Sequence, residues 1–444
     1  MGRIQLNEVP QGLGVGVGSK WLASHLPLKS LELFCHALWR LPPGPLQAPE
    51  ATPQWDGTRE ESGIGDTSPR NTQGIPLGNA GGRGASGGRS IHESQLRAPQ
   101  GAPLIPGPLE PLPTCGGAMC KIKEDDTSRV VMPPGSVFVA GARGLVGSAL
   151  VQELVTNGFH VVGLVRRRDG VTSLEQLGAH PVLGDLAVPG DWENALTGVE
   201  SVVDATQARL AGRLTVSRAR QMAEARRQMT GTLLDAIRRK APSLRRYVAL
   251  SGLEDYESTG DAWFDESTPL AARPKGFAHI GLRVLPLLRE AREKWGLPLV
   301  LLRMGLIYGN SGWFPGFVER IRTGKGVLVG SGRNYSSLVA AVDVAQAIRL
   351  SLERGRPGSE YIVADDEPVV QEEWVGYLAR LCGVAPPRRR IPVWLASLAV
   401  GRVNAETFSS SKRPRNRRMK EELGVTLRHP TIRDGFPRFV PPPA

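Results

Sequence analysis

From residue 136 onward, short apolar runs rich in β-branched residues alternate with longer stretches typical of helices. The short runs are typical of strands that are buried on both faces. Six strands are predicted in this way, at 136–140, 159–165, 180–186, 200–206, 245–250 and 298–304. Helices are predicted between them, with the clearest at 145–157 and at about 212–240. Strands that alternate with helices imply a parallel sheet with helices on both faces and right-handed crossovers.

The pattern changes after Gly309. Helices are predicted at 313–324, 339–355 and 372–383, with one short strand at 359–365. Such a tail normally forms a smaller lobe over the carboxyl ends of the strands, where an open α/β sheet binds its ligands. We therefore predict an α/β fold, a doubly wound parallel sheet of the Rossmann type with a small C-terminal substrate-binding lobe.

The first part of the chain has a different composition. Residues 1–118 contain 20 Gly and 15 Pro, which is within the roughly 25–30% at which aperiodic Gly and Pro content indicates disorder. They lack the assembled parts of a signal peptide, and their nine basic residues match nine acidic ones, unlike a transit peptide. We predict a disordered low-complexity extension over 1–130, a dinucleotide-binding domain over 134–310 and a substrate lobe over 311–440.

The positive charge lies in the second part of the chain. Because residues 1–118 are neutral, the whole formal net charge of +12 belongs to 119–444. A basic surplus suits a polyanionic ligand or a nucleic acid and does not choose between them. The basic runs at 388–390 and 411–424 contain no aromatic residue on which a base could stack. We interpret them as solvated basic faces and expect no nucleic-acid partner.

The cysteines and the apolar stretches indicate the cellular compartment that we expect for the chain. The four cysteines are Cys35, Cys115, Cys120 and Cys382, whose spacing and neighbours do not fit a zinc site. We expect no metal and a reducing, cytoplasmic setting. The partly apolar stretch at 21–40 is interrupted by Pro27 and lacks the run of about twenty apolar residues that a membrane span needs. No membrane partner is therefore expected.

A glycine motif follows the first predicted strand. Gly141, Gly144 and Gly147 form a GxxGxxG pattern between that strand and the helix that Leu145 and Val146 begin. The first glycine permits a sharp turn, the second lets the backbone approach a pyrophosphate, and the third lets the helix pack closely on the strand. The helix N-terminus presents free N–H groups to the phosphates. The motif predicts a nicotinamide dinucleotide site.

The end of the second strand indicates which dinucleotide is bound. An NAD site carries an acidic residue there for the adenosine 2′-hydroxyl, whereas this chain has Arg166 within a run of three arginines, and Arg143 in the glycine turn. An arginine matches a phosphate with paired hydrogen bonds. NADP(H) is therefore favoured, and NAD(H) stays open as the alternative.

Several motifs together resemble the extended or atypical short-chain dehydrogenases/reductases, and most closely the NAD(P)-dependent epimerase/dehydratase family. The matching segments are GARGLVG (141–147), GDL (184–186), QMTGTLLDAI (228–237), LRMGLIYG (302–309) and NRRMKEELGV (416–425). The resemblance covers about 136–437. It implies that Asp185 bonds the adenine amino group, that Leu186 packs on the adenine and that Ala205 lines the ribose.

The catalytic residues of the family are not reproduced. The family uses a Tyr-x-x-x-Lys pair with a Ser or Thr that orients the substrate oxygen. By position, the Tyr falls at Phe277 and the Lys at Gly281. Ser251 is the candidate hydroxyl, although a shift of one residue would put Gly252 in its place.

Other polar side chains near these positions have simpler interpretations. Tyr256 is typical of a packing residue, and His279 of a structural histidine. Tyr308 resembles a family position that shapes the pocket.

Two functions follow from this combination of motifs. The first is an NADP(H)-dependent oxidoreductase, or an epimerase/dehydratase-like enzyme, with a non-standard proton donor. Its substrate would be a carbonyl, hydroxyl or nucleotide-sugar-type small molecule. The second is a non-catalytic NADP(H)-binding redox sensor or assembly factor, as Phe277 and Gly281 suggest. The resemblance also implies a homodimer, because family members often pair through two long helices.

Overall fold

The computed structural model describes residues 135–208 and 212–442. The predicted extension over 1–130 lies outside the described residues, as do Cys35, Cys115 and Cys120.

A seven-stranded parallel sheet forms the centre of the described chain. Its strands are β1 (Ser136–Ala140), β2 (His160–Val165), β3 (His180–Leu183), β4 (Ser201–Asp204), β5 (Arg246–Gly252), β6 (Leu299–Met304) and β11 (Glu360–Val363). They lie in the order β3-β2-β1-β4-β5-β6-β11. The order reverses direction between β1 and β4, which is where doubly wound sheets bind dinucleotides. The predicted fold class is confirmed.

Two layers of helices cover the sheet. They are α1 (Leu145–Thr156), α2 (Arg168–Glu175), α3 (Val216–Lys240), α4 (Ala278–Trp295) and α6 (Ala341–Arg354). Along β1, Val137 and Val139 pack in one apolar cluster with α1 and α6, whereas Phe138 and Ala140 pack in another with α3 and α4. This alternation follows from the two-residue side-chain period of a strand. It explains why the strands are apolar throughout.

The remaining elements extend beyond the sheet. They are β7 (Leu306–Tyr308), α5 (Phe314–Arg322), β8 (Leu328–Val329), β9 (Tyr335–Ser336), β10 (Leu338–Ala340), β12 (Val369–Val370), α7 (Gln371–Leu381), β13 (Arg390–Ile391), α8 (Val393–Val400), α9 (Arg402–Ser409), α10 (Arg417–Leu423) and α11 (Ile432–Phe439). The short strands form the pairs β10–β7, β12–β9 and β13–β8. Aromatic residues, including Phe314, Trp374 and Phe436, fill the core of this part.

The domain boundary predicted at residue 310 stays a prediction. One strand that the sequence assigned to the C-terminal lobe belongs to the main sheet. The strand predicted at 359–365, assigned to the lobe, pairs with β6 as the edge of the main sheet. The helix that precedes it, α6, packs against α1. A sequence pattern identifies a strand but not its partner, because strand pairing depends on long-range contacts.

Across residues 135–208 and 212–442, every helix is too short or too polar to span a bilayer.

Candidate cofactor site and active site

The glycine turn after β1 has no room for side chains. Gly141 has a φ of +81°, and a Cβ added there would lie 2.6 Å from the carbonyl oxygen of Ala205, which follows β4. A Cβ on Gly147 would lie 2.1 Å from the carbonyl oxygen of Gly141. Real Cβ atoms do not approach this closely, so the turn, the strand ends and α1 require glycine at both positions. The backbone of β1, α1 and β4 meets here without intervening side chains.

The N-terminus of α1 is open to a ligand. Gly144 is the N-cap residue and provides no side-chain cap, and the first turn contains no acidic residue. Leu145 and Val146, the first residues of α1, are half-buried. The N–H groups and the positive end of the helix dipole therefore remain for an anion. This is the arrangement that a pyrophosphate requires.

A basic corner lies beside this turn. Arg143 is exposed, with its Nη1 3.2 Å from Oδ1 of Asp169, and its aliphatic stem lies against Gly170 at the start of α2. Arg167 contacts the same carboxylate at 3.4 Å, and Arg166 is exposed at the end of β2. Exposed ion pairs of this kind are weak. A phosphate can therefore replace Asp169 as the partner of Arg143.

The adenine contacts implied by the resemblance lie after β3 and β4. Asp185 is exposed, and its Oδ1 accepts the N–H of Ala187 at 3.0 Å. Leu186 is buried in the cluster that includes Trp192, whereas Ala205 is half-buried beside Gly141. The glycine turn and Ala205 therefore lie together where β1 and β4 end. Their roles toward the dinucleotide stay predictions.

The end of β5 contains a buried network of charged groups. Ser251 donates a hydrogen bond to Asp255, and Asp255 forms an ion pair with Arg303, which is fully buried on β6. Arg303 also donates to Glu360 on β11, at 2.9 Å. Burial raises the pKa of Asp255, and the charge of Arg303 opposes that shift. The predicted catalytic hydroxyl is thus held by a carboxylate.

The two positions at which the Tyr-Lys pair is missing lie in close-packed surroundings. A Cβ on Gly281 would lie 2.4 Å from Oδ1 of Asp255 and 2.6 Å from Oγ of Ser251, so a side chain here would require both groups of this network to shift. Phe277, one turn earlier, packs against an apolar cluster that includes Met222 and Val403. Neither residue can exchange a proton.

The other polar residues weighed from the sequence lie in packed or paired surroundings. Tyr256 is buried against Phe264, with the guanidinium of Arg303 5.4 Å from its ring centre. Tyr308 is buried among Phe314, Phe436 and Phe439. His279 lies 4.0 Å from Glu406 of α9, and burial lowers its pKa.

A polar pocket opens between the loop after β5, the segment before α4 and the region of α9. Its lining residues are Glu254, Tyr256, Glu257, Ser258, Ala271, Arg273, Lys275, Gly276, Glu406, Thr407, Ser410 and Lys412. The N–H of Gly276 donates to Glu406 at 2.9 Å, which joins α9 to the start of α4. The sequence did not indicate Glu254 or Lys412, because Lys412 belongs to a basic run that we interpreted as a surface.

The basic runs are largely paired. Arg417 and Arg418 contact Glu421 and Glu422 one turn later, and Lys420 contacts Asp366. The guanidinium of Arg413 lies 4.3 Å from the ring centre of Trp263. Ion pairs and stacking therefore account for much of the run at 411–424. In the described part of the chain, no group of three or more His, Cys, Asp or Glu side chains could hold a metal ion.

Sequence comparison identifies relatives of the part of the chain that forms this fold. The model of the NAD-dependent epimerase/dehydratase family matches residues 137–364. A 3-diazoavenalumate denitrifying reductase from a Streptomyces species is 30% identical over 315 residues, which are 68% of this chain and 99% of the relative. A 2-alkyl-3-oxoalkanoate reductase from Shewanella oneidensis is 28% identical over 287 residues, or 60% of this chain and 70% of the relative.

Solved structures show the same fold. A human epimerase family protein with NADPH has a TM-score of 0.57 at 19% identity, over 69% of this chain and 99% of that one. A dTDP-glucose 4,6-dehydratase from Streptomyces venezuelae with NAD bound has a TM-score of 0.56 at 23% identity, over 69% and 95%. The glycine turn, the strand order and these relatives agree: the chain belongs to the NAD-dependent epimerase/dehydratase family.

Proposed function

We propose that the chain is an NADPH-dependent reductase that converts a carbonyl group of a small molecule to an alcohol. The observation that carries the proposal is the glycine turn at the β1–β4 crevice, with the polar pocket at the end of the neighbouring strand β5. Two relatives are named reductases. A reduced nicotinamide dinucleotide supplies a hydride when bound, and the chain supplies its binding site and the polar groups around the substrate oxygen.

The residues of the crevice would hold the dinucleotide in a defined way. The backbone of Gly141, Gly144 and Gly147 and the N-terminus of α1 would bind the pyrophosphate. Asp185 would contact the adenine and Ala205 the ribose. Ser251 would orient the substrate oxygen, because it lies one residue before the carboxyl end of β5 and Asp255 fixes its hydroxyl.

The preference for NADP(H) would come from Arg143 and Arg166. We expect a double Arg143→Ala, Arg166→Ala variant to bind NADPH about 10–100-fold more weakly, since a hydrogen bond to a charged group contributes roughly 1.5–3 kcal/mol. The affinity for NADH, which lacks the 2′-phosphate, should change little. Fluorescence titration of both dinucleotides measures this. Arg417→Ala is the control, because Arg417 is exposed and paired only within α10; equal losses for NADPH and NADH would contradict the assignment.

Turnover is tested on the full chain with NADPH and a panel of 2-alkyl-3-oxoalkanoates, aryl ketones and nucleotide sugars. Oxidation of NADPH that depends on one of these compounds supports a reductase. Tight binding of NADPH without oxidation by any of them would contradict it and would favour the second candidate.

The second candidate is a non-catalytic NADP(H)-binding redox sensor or assembly factor. The observation that favours it is the packing of Phe277 against an apolar cluster and the close approach of Asp255 and Ser251 to Gly281. A sensor must bind NADP⁺ and NADPH with different affinities or in different conformations, because a ligand shifts an equilibrium only by its differential affinity. Equal affinities with no change in protease sensitivity would exclude it.

The partners, the compartment and the oligomeric state are proposals as well. The partner would be a small molecule in a cytoplasmic setting, without nucleic acid or membrane. The long helices α3 and α4 pack side by side on one face of the sheet, and we propose that they pair with those of a second copy. Light scattering gives the mass in solution, and a monomer at all concentrations would contradict this.

A further inference from the structure

The carboxyl group of Glu254 lies next to Gly252, the last residue of β5. Its Oε2 is 2.6 Å from the point at which a Cβ on Gly252 would stand. Gly252 is the alternative position for the hydroxyl of the family's active site, and it has no side chain of its own. The carboxyl group of Glu254 therefore occupies the space next to that position, and the same residue lines the pocket.

A buried lysine lines the same pocket. Lys412 is only 6% exposed, and its Nζ donates to the backbone carbonyl oxygens of Tyr256 and Glu257, the latter at 2.9 Å. An ammonium group has three N–H donors. Among the described residues, these two carbonyl oxygens accept two of the three N–H donors. The third N–H of Lys412 is left for a group in the pocket.

The surroundings bring both groups toward neutral titration. Burial raises the pKa of Glu254, with the charge of Lys412 opposing the shift and that of Asp255 adding to it. Burial lowers the pKa of Lys412 to about 8, and the carboxylates of Glu254, Glu257 and Asp255 oppose this. The other charged groups that line the pocket are Arg273 and Lys275, before α4, and Glu406 of α9.

We propose that Glu254 is the catalytic acid that replaces the missing tyrosine, and that Lys412 is a positioning residue that sets its protonation. This inference rests on the proposed reductase function. As the carbonyl carbon gains a hydride from the reduced dinucleotide, the carbonyl oxygen takes the proton of Glu254. The C=O π bond breaks, C–H and O–H bonds form, and the carbonyl is reduced while the dinucleotide is oxidised. Glu254 remains as a carboxylate near the ammonium of Lys412 and regains its proton from water.

The first test measures the protonation of Glu254 without turnover. The protein is labelled with ¹³C at the glutamate carboxyl carbons, and the signal of Glu254 is assigned by its loss in Glu254→Gln. We expect this carboxyl to titrate above the ordinary value of about 4.3, and Lys412→Met to raise its pKa further because the opposing charge is gone. An ordinary pKa, or no shift in Lys412→Met, would overturn the proposal.

The second test follows NADPH oxidation with an active compound from the panel. Glu254→Gln is expected to lower kcat by about 100-fold or more, which is typical for loss of a general acid or base, and to leave the Kd for NADPH unchanged. Reduction by the parent chain should decline as the pH rises, because Glu254 must carry the proton, and this decline should be absent in the variant. Glu200→Gln is the control, since Glu200 precedes the amino-terminal end of β4, opposite the carboxyl end of β5 that the pocket adjoins, and pairs with exposed Arg245.

The two proposals fail in different ways. If the parent chain oxidises NADPH and Glu254→Gln keeps its kcat, the assignment of Glu254 is wrong and the reductase function stands. If no compound is reduced while Glu254 shows a raised pKa that depends on Lys412, the reductase function is wrong, and so is the catalytic role that rests on it.

Discussion

A Gly147→Ala variant is expected to lose detectable binding of NADP(H) and to be less stable than the parent chain. The added Cβ would lie 2.1 Å from the carbonyl oxygen of Gly141 and 2.8 Å from the carbonyl carbon of Ala142. Both atoms belong to the backbone, so the contact can be relieved only by moving the turn away from α1. Overpacking of this kind costs about 1–3 kcal/mol, and the displaced turn can no longer present its N–H groups to the pyrophosphate.

The measurements are a fluorescence titration with NADPH and the free energy of unfolding in urea. The matched control is Gly316→Ala. Gly316 also lies in a helix, α5, but a Cβ there would have no neighbour within 4 Å, and alanine favours a helix over glycine by about 1 kcal/mol. The control should therefore keep its affinity and be as stable as the parent chain or more stable, by up to about 1 kcal/mol. Normal NADPH binding by Gly147→Ala would show that the turn does not hold the phosphates.

Replacing Arg303 with methionine is expected to destabilise the protein by about 3–5 kcal/mol. The side chain of Arg303 is fully buried between Asp255 and Glu360, and its loss would leave Asp255 as a buried charge without its partner. Breaking one side of a buried pair has a cost of this size, whereas replacing both sides with neutral groups often has little effect. We therefore expect Arg303→Met with Asp255→Asn to recover most of the loss.

The loss should depend on pH with a defined sign. The pKa of Asp255 in the folded protein is already raised by burial, and removal of Arg303 raises it further. A folded protein that binds a proton more tightly than the unfolded chain becomes less stable as the pH rises. The deficit of Arg303→Met should therefore be largest at neutral pH and shrink in acid, as the pH falls to the raised pKa of Asp255.

Thermal denaturation at several pH values measures this deficit. The control is Arg417→Met, because an exposed pair within one helix contributes only about 0.3–0.5 kcal/mol. A deficit that does not change with pH would show that Asp255 is not the group left unpaired.

The sequence predicted the parts of the molecule that depend on local pattern. The strand at 136–140 has its predicted limits, and the helix that follows begins at Leu145 as expected. The close contact of Gly147, in the first turn of α1, with Gly141 also follows from local geometry, because only five residues separate them in the chain. The contact of Gly141 with Ala205 after β4 is long-range and needed the fold. The three-residue strand β10 was missed, since it directly precedes α6 and was included in that helix.

The polar pocket after β5 was not predictable in the same way. Glu254 and Lys412 are 158 positions apart, and only the folding of the C-terminal segment onto the loop after β5 brings both into one pocket. Gly281 appeared in the sequence as a missing lysine, whereas the structure shows that Asp255 and Ser251 fill the space beside it. Such relations depend on tertiary contacts, which a single sequence does not contain.

We propose that this family member holds NADP(H) in the crevice between β1 and β4, with the 2′-phosphate at Arg143 and Arg166. Calorimetric titration of the full chain with NADP⁺ and with NAD⁺, at one salt concentration, tests it most directly. We expect NADP⁺ to bind at least about tenfold more tightly, a difference of roughly 1.4 kcal/mol or more. Equal affinities, or no binding of either dinucleotide, would contradict this assignment.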